Sequence, residues 1–168
     1  MTSITTLKTF FGRLRQTALL IMLSTLGIFA QQTEIKYLSG TGFGHTTEWD
    51  FFCSDGANSQ QWSKIEVPSQ WELQGFGEYT YGRWYKQKGK TPSDETGHYK
   101  TTFFVPEQWS KKVINIVFEG VMTDTKVLIN GKQAGEIHQG GFYRFKYNIN
   151  ELLKPGKENL LEVMVWKH

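Results

Sequence analysis

Lys126-Val127-Leu128-Ile129-Asn130-Gly131-Lys132-Gln133 is the stretch that decides the fold. Its apolar run reads as a strand over Lys126–Ile129. Asn130-Gly131 follows at once, and both residues tolerate positive φ, as a two-residue hairpin turn requires. The return strand is expected from about Gln133 to His138, where Gly140-Gly141 breaks it. Toward the C-terminus, Phe142–Ile149 alternates, with Tyr143, Phe145 and Tyr147 against Phe142, Arg144 and Lys146. Asn150–Lys154 suits one helical turn, capped by Asn150 and stopped by Pro155-Gly156. Leu160–Trp166 then reads as a strand with Leu161, Val163 and Val165 on one face and Glu162 on the other.

The same pattern extends toward the N-terminus. Val113–Glu119 places Ile114, Ile116 and Phe118 on one face, and Pro106-Glu107-Gln108-Trp109 is a turn. His98–Val105 alternates, with Tyr99, Thr101, Phe103 and Val105 together. Glu48–Phe52 is a short strand, followed by a turn at Asp55-Gly56. Trp62 and Ile65 lead into Val67-Pro68-Ser69. From Gln70 to Thr96 periodicity lapses. This stretch, with Trp71, Phe76, Tyr79, Tyr81, Trp84 and Tyr85, is expected to be a long ordered loop, and such loops are often functional. Short strands at regular spacing predict an all-β fold, an antiparallel sandwich. Trp49, Trp62, Trp109 and Trp166 are expected in its core. The apolar Leu160–Trp166 strand is followed only by Lys167 and His168, which predicts a neighbouring strand still to come, an unpaired edge and a fragment of a longer protein.

Size and composition agree. The chain has 168 residues, enough for one domain and too few for an αβ barrel of about 250 residues. Aromatic residues make up 15%, hydrophobic ones 39% and charged ones 21%, which excludes a disordered chain. The net charge of +3 comes from Lys8, Arg13 and Arg15; without them 16 basic residues face 16 acidic ones. The folded part therefore carries no basic field, and no nucleic-acid partner is expected.

Those three cations precede the uncharged run Thr17–Ala30, the layout of a secretory signal peptide over residues 1–30. The run is shorter than the ~20 residues a spanning helix needs, so cleavage after Ala30 and no membrane attachment afterwards are expected. The alternative is an uncleaved anchor. The protein is expected to be periplasmic or secreted. A flexible lead-in over 31–44 would then precede the sandwich over 45–168. The glycines at 40, 42 and 44 lack the strand-to-helix setting of a phosphate loop. One cysteine, Cys53, allows no internal disulfide, and beside Phe51 and Phe52 it reads as a buried thiol. His45, His98, His138 and His168 show no metal-ligand spacing, and no cofactor or metal is expected. Asp50 and Asp55 sit in no calcium-loop signature. The carboxylates Glu72, Glu78, Asp94 and Glu95 read as solvated charges, not a catalytic pair, and the run Lys86–Lys90 as a solvated face.

Val67-Pro68-Ser69-Gln70-Trp71-Glu72-Leu73-Gln74-Gly75-Phe76 resembles the Val-Pro-Ser-x-Trp-x-x-x-Gly-aromatic segment of the β-galactosidase branch of glycoside hydrolase family two. Gly97-His98-Tyr99, Phe103–Pro106, Trp109, Phe118–Val121, Val127–Gly135, Gly140–Phe142, Phe145, Leu153–Gly156 and Glu158–Val163 continue in that family's order. The resemblance covers Trp49 to His168. It implies a jelly-roll sandwich, the family's N-terminal sugar-binding domain, to which an immunoglobulin-like sandwich and a (β/α)8 barrel are joined as partners in the same chain. The barrel carries the acid/base and nucleophile glutamates for retaining hydrolysis, which needs carboxyl groups about 5–5.5 Å apart. No residue here aligns with either, so no catalytic residue is assigned. The family's Tyr-Thr-Asn segment is replaced by Tyr79-Thr80-Tyr81 at a shorter spacing. That departure leaves a galactoside, another β-glycoside, an arabinoside and a uronide open.

Sugars are held by aromatic rings against their C–H faces and by polar side chains at their hydroxyls. Trp71, Glu78, Tyr79, Tyr81 and Arg83 are the candidate carbohydrate-binding residues, with core or domain-seam packing as the other reading of the aromatics. The chain is expected to be the exported, non-catalytic sugar-binding domain of a glycosidase whose terminal glycoside substrate is cleaved by the intact enzyme. The alternatives are a freestanding carbohydrate-binding module and a secreted interaction domain without sugar affinity.

Overall fold

The computed structural model describes residues 33–78 and 94–167. The chain divides into two compact units, Met1–Lys36 and Tyr37–His168. Nearly all described residues belong to the second, and the signal-peptide region lies outside them.

Among the described residues regular structure is all β apart from short 3-10 turns. The strands are β1 (Thr47–Cys53), β2 (Trp62–Val67), β3 (Thr96–Phe104), β4 (Asn115–Phe118), β5 (Asp124–Ile129), β6 (Lys132–Gln133), β7 (His138–Gln139), β8 (Phe145–Asn148) and β9 (Glu158–Trp166). The large sheet runs β2-β1-β3-β9-β5-β6, with β7 also on β5, and β4 pairs β8 in a second sheet. Every pairing is antiparallel. This is the predicted jelly-roll sandwich.

Alternation sets the two faces. Trp49, Phe51 and Cys53 of β1, Ile65 of β2, Phe103 of β3, Val127 and Ile129 of β5, and Leu161, Val163 and Val165 of β9 point inward and are buried. Ile116 of β4 and the half-buried Phe118, Phe145 and Tyr147 of the second sheet join the same core. Burying apolar area at ~25 cal/mol per Å² supplies the main driving force.

Three expectations change. β9 is not an edge awaiting a neighbour: β3 pairs it along Thr96–Phe104 and β5 along Asp124–Ile129, so it lies in the middle of the sheet. Among the described residues the sheet ends in β2 on one side and in β6 and β7 on the other. The return strand is not continuous from Gln133 to His138 but is split into β6 and β7. Ala134 still donates to the Val127 carbonyl (2.9 Å). The next residues are drawn off the ladder by Tyr147, whose Oη donates to the Glu136 carbonyl (2.5 Å) and whose ring leaves no room for a Cβ on Gly135. Asn150 begins a 3-10 turn over Asn150–Leu152, yet its side chain does not cap it. Its Oδ1 accepts from Ile114 N (2.9 Å) and its Nδ2 donates to Lys112 O (2.7 Å), tying that turn to the approach to β4. The strand β2 was not apparent in the sequence.

The predicted hairpin is present: Asn130 and Gly131 have φ of 52° and 79°. Asn130 also meets Asn159, a polar residue 1% exposed on the inner face of β9. Asn130 Nδ2 donates to Asn159 Oδ1 and to Leu152 O, both at 2.8 Å. Asn159 Oδ1 further accepts from Lys154 N (2.7 Å), while its Nδ2 donates to Lys154 O (3.2 Å) and Lys157 O (3.0 Å). A buried amide so fully bonded costs little to keep and much to disturb.

Candidate functional site

A cluster of partly buried charges lies where β3 begins and β9 ends. Lys167 follows the last residue of β9, and its N–H extends the ladder to the Glu95 carbonyl (3.1 Å). Its Nζ reaches Glu72 Oε1 at 2.7 Å and Glu95 Oε2 at 3.3 Å, and donates to the Glu78 carbonyl at 2.6 Å. Glu95 Oε1 accepts the Glu78 N–H at 2.5 Å. One ammonium thus binds two carboxylates and, with Glu95, grips both polar groups of the Glu78 backbone. Glu95 is only 4% exposed, so it is not the solvated charge the sequence suggests. Burial pulls the Lys167 ammonium toward its neutral form, but Glu72 and Glu95 outweigh it and its pKa stands above the ordinary 10.5.

Aromatic packing forms the floor. Trp71 opens a 3-10 turn, Trp71–Gln74, closed by Gly75 in the left-handed region (φ 86°). Its ring lies 5.9 Å from Phe51, which also meets Phe76 at 5.0 Å and Tyr99 at 4.6 Å. A Cβ on Gly97 would sit 2.5 Å from the Trp71 ring, so only glycine lets the indole lie on β3. Above Gly77, one point lies 2.8 Å from Glu95 Oε2 and 3.1 Å from Trp71 Nε1, and that indole nitrogen has no hydrogen-bond partner among the described residues. Burial holds the Tyr99 phenol protonated, and the Glu72 charge adds to the effect.

Of the candidate carbohydrate-binding residues, Trp71 belongs to the core. It is 5% exposed, with Phe51 and Gly97 against its ring, so it offers no open face for stacking on a sugar. Glu78 is exposed, with its backbone held by Glu95 and Lys167. Tyr79, Tyr81 and Arg83 lie outside the described residues, as does Lys86–Lys90. Sequence reasoning missed Lys167; the signal it offered was a charged side chain directly after an apolar strand. Among the four tryptophans expected in the core, Trp49 is buried and Trp109 and Trp166 are half-buried, but Trp62 is 50% exposed. Asp50 is paired with Lys64 (2.8 Å) and Asp55 accepts from Gly56 N (2.8 Å), so neither is arranged around a cation. Among the described residues no group of three His, Cys, Asp or Glu side chains could hold a metal, and no helix is long and apolar enough to cross a membrane.

Fold and site together define a jelly-roll sandwich whose partly buried Lys–Glu cluster holds the backbone at Glu78. The model of the family described as glycosyl hydrolases family 2, sugar binding domain, matches residues 47–168, and the chain belongs to that family. It is 31% identical over 123 residues to a β-galactosidase of Arthrobacter sp. (strain B7), a match covering 67% of this chain and 12% of that protein. It is 26% identical over 145 residues to a β-glucuronidase of Bacteroides fragilis, covering 85% of this chain and 18% of the relative. Among solved structures, a β-glucuronidase of Ruminococcus gnavus shares the fold with a TM-score of 0.55 and 20% identity, over 83% of this chain and 23% of that one. The chain spans 9–14% of the length of the first three curated relatives it matches.

Proposed function

We propose that this chain is the sugar-binding sandwich of an exported, retaining glycoside hydrolase, acting beside immunoglobulin-like and barrel domains of the same protein. The observation that carries the reading is the family match over 47–168, together with glycosidase relatives several times longer than this chain. Hydrolysis belongs to those other domains: here Glu72 and Glu95 are engaged by Lys167, not poised around an open space for a glycosidic oxygen. The sandwich contributes one wall of the sugar pocket. Glu78, Tyr79, Tyr81 and Arg83 are the residues assigned to contact the terminal sugar. Relatives named β-galactosidase and β-glucuronidase support a terminal β-glycoside as the substrate of the whole protein, with a galactoside and a glucuronide as the first two to try.

The test is a hydrolysis assay with aryl β-galactoside and aryl β-glucuronide. The 168-residue chain is expected to show no turnover above blank. The longer product detected in the exported fraction of the source cells is expected to release sugar with its anomeric configuration retained, as read by proton NMR. Turnover by the 168-residue chain, or inversion by the longer product, would overturn the reading.

A further inference from the structure

The large sheet has a second face, turned away from the core, and it carries an aromatic row that the family match does not account for. Across the strands, Trp62 of β2 pairs with Phe52 of β1, Phe52 with His98 of β3, and His98 with Met164 of β9. The Trp62 and Phe52 rings are 5.7 Å apart and those of Phe52 and His98 5.9 Å. Trp62 remains 50% exposed although Lys100 Nζ stands 4.4 Å over its ring. A strand outer face gains nothing from exposing an indole, which would be better buried or replaced by a polar residue. The neighbouring row is made of ion pairs: Asp50 with Lys64 (2.8 Å), Lys64 with Glu48 (3.7 Å), and Lys100 with Glu162 (3.4 Å).

We propose that this outer face, with Trp62 and Phe52 as its rings and Lys64, Asp50, Lys100 and Glu162 as its polar border, docks a neutral glycan chain. An apolar strip beside a strip of donors and acceptors matches a pyranose, which has a C–H face and a hydroxyl rim. Strands about 4.8 Å apart spread the row from Trp62 to His98 over roughly 10 Å, so a linear chain can lie across them. The charges decide which glycan. Across the strands the face carries Lys64, Lys100 and Lys126 against Glu48, Asp50, Glu66, Asp124, Glu158 and Glu162, so no positive field exists to gather a polyanion such as a uronate polymer or nucleic acid. A second copy of the chain fits less well, because three rings framed by ion pairs fall well short of the ~800 Å² per partner that a stable dimer buries. This surface lies on the opposite face of the sheet from Trp71, and the proposal does not depend on the pocket role of Glu78.

The test is native electrophoresis of the full chain through gels containing galactan, galactomannan, xyloglucan or mixed-linkage β-glucan, with polygalacturonate as the anionic control. At least one neutral polymer should retard the chain. Trp62→Ala should weaken that retardation about tenfold or more, Trp62→Phe should restore part of it, and Val113→Ser, at an exposed apolar residue off this face, should leave it unchanged. Thermal melts of all three variants control for folding. Retardation by no neutral polymer, retardation by polygalacturonate alone, or equal retardation of Trp62→Ala would overturn the proposal. So would a doubled mass in light scattering that Trp62→Ala abolishes, which would assign the face to a second copy.

Discussion

Lys167 holds more of this structure than its place after the last strand suggests. Its partners Glu95 and Glu78 lie 72 and 89 residues earlier in sequence, so no local pattern could have revealed the contact. Replacing it with Met leaves two carboxylates facing each other without a counter-charge, one of them buried. The expected loss is about 2 kcal/mol in a urea melt, below the 3–5 kcal/mol seen for wholly buried pairs because the Lys167 side chain keeps some exposure. The pH dependence has a definite sign. Because the folded-state pKa of Lys167 is raised above 10.5, its contribution is whole below that pH and is lost as pH climbs through the raised value. A wild-type stability curve that falls above pH 10.5 more steeply than that of Lys167→Met would show it. Cys53 gives a simpler prediction: fully buried, with its thiol pKa pushed up by burial, it should resist a thiol reagent in the native state and react within seconds in denaturant.

At the scale of elements, the Asn130–Asn159 pair shows what sequence can and cannot convey. The turn at Asn130-Gly131 was legible because its backbone demand is local. That the Asn130 side chain would leave the turn and meet an asparagine on β9 was not, since the partner is set by sheet order. Asn159→Leu keeps the branching of the side chain but is bulkier, strands Lys154 N and two carbonyls, and costs Asn130 Nδ2 one of its two acceptors, for an expected loss of about 3 kcal/mol by thermal or urea unfolding. β9 was readable from alternation, which is strong where one face is dry, and β5 from the apolar run that leads into the Asn130-Gly131 turn. The return strand was read too long because Tyr147, a residue of another strand, pulls its middle away. β2 was missed because its outer positions Trp62, Lys64 and Glu66 mix an aromatic with charges, leaving only Ile65 as a fully buried marker.

For the molecule as a whole, the fold class was legible and the site was legible only in part. The sandwich follows from the period of the strands, which each segment carries in itself. Glu78 was singled out because long irregular loops are favoured for recognition, and it is exposed, whereas Trp71, chosen for its chemistry, is in the core because Gly97 leaves room for its ring. The greatest surprise concerns β9, read as an edge and found in the centre. β2, β1 and β3 form one block, and β5 with β6 and β7 another; among the described residues of the large sheet these blocks meet only through β9. A chain lacking Glu158–Trp166 is therefore expected to lose its cooperative thermal transition altogether. The same geometry sets a clock on biosynthesis. A ribosome delivers the two halves of the sheet well before the strand that joins them, so the earlier strands wait, with their inner faces uncovered, until Glu158–Trp166 emerges. Until its keystone arrives, such a nascent chain exposes apolar surface that is prone to aggregate.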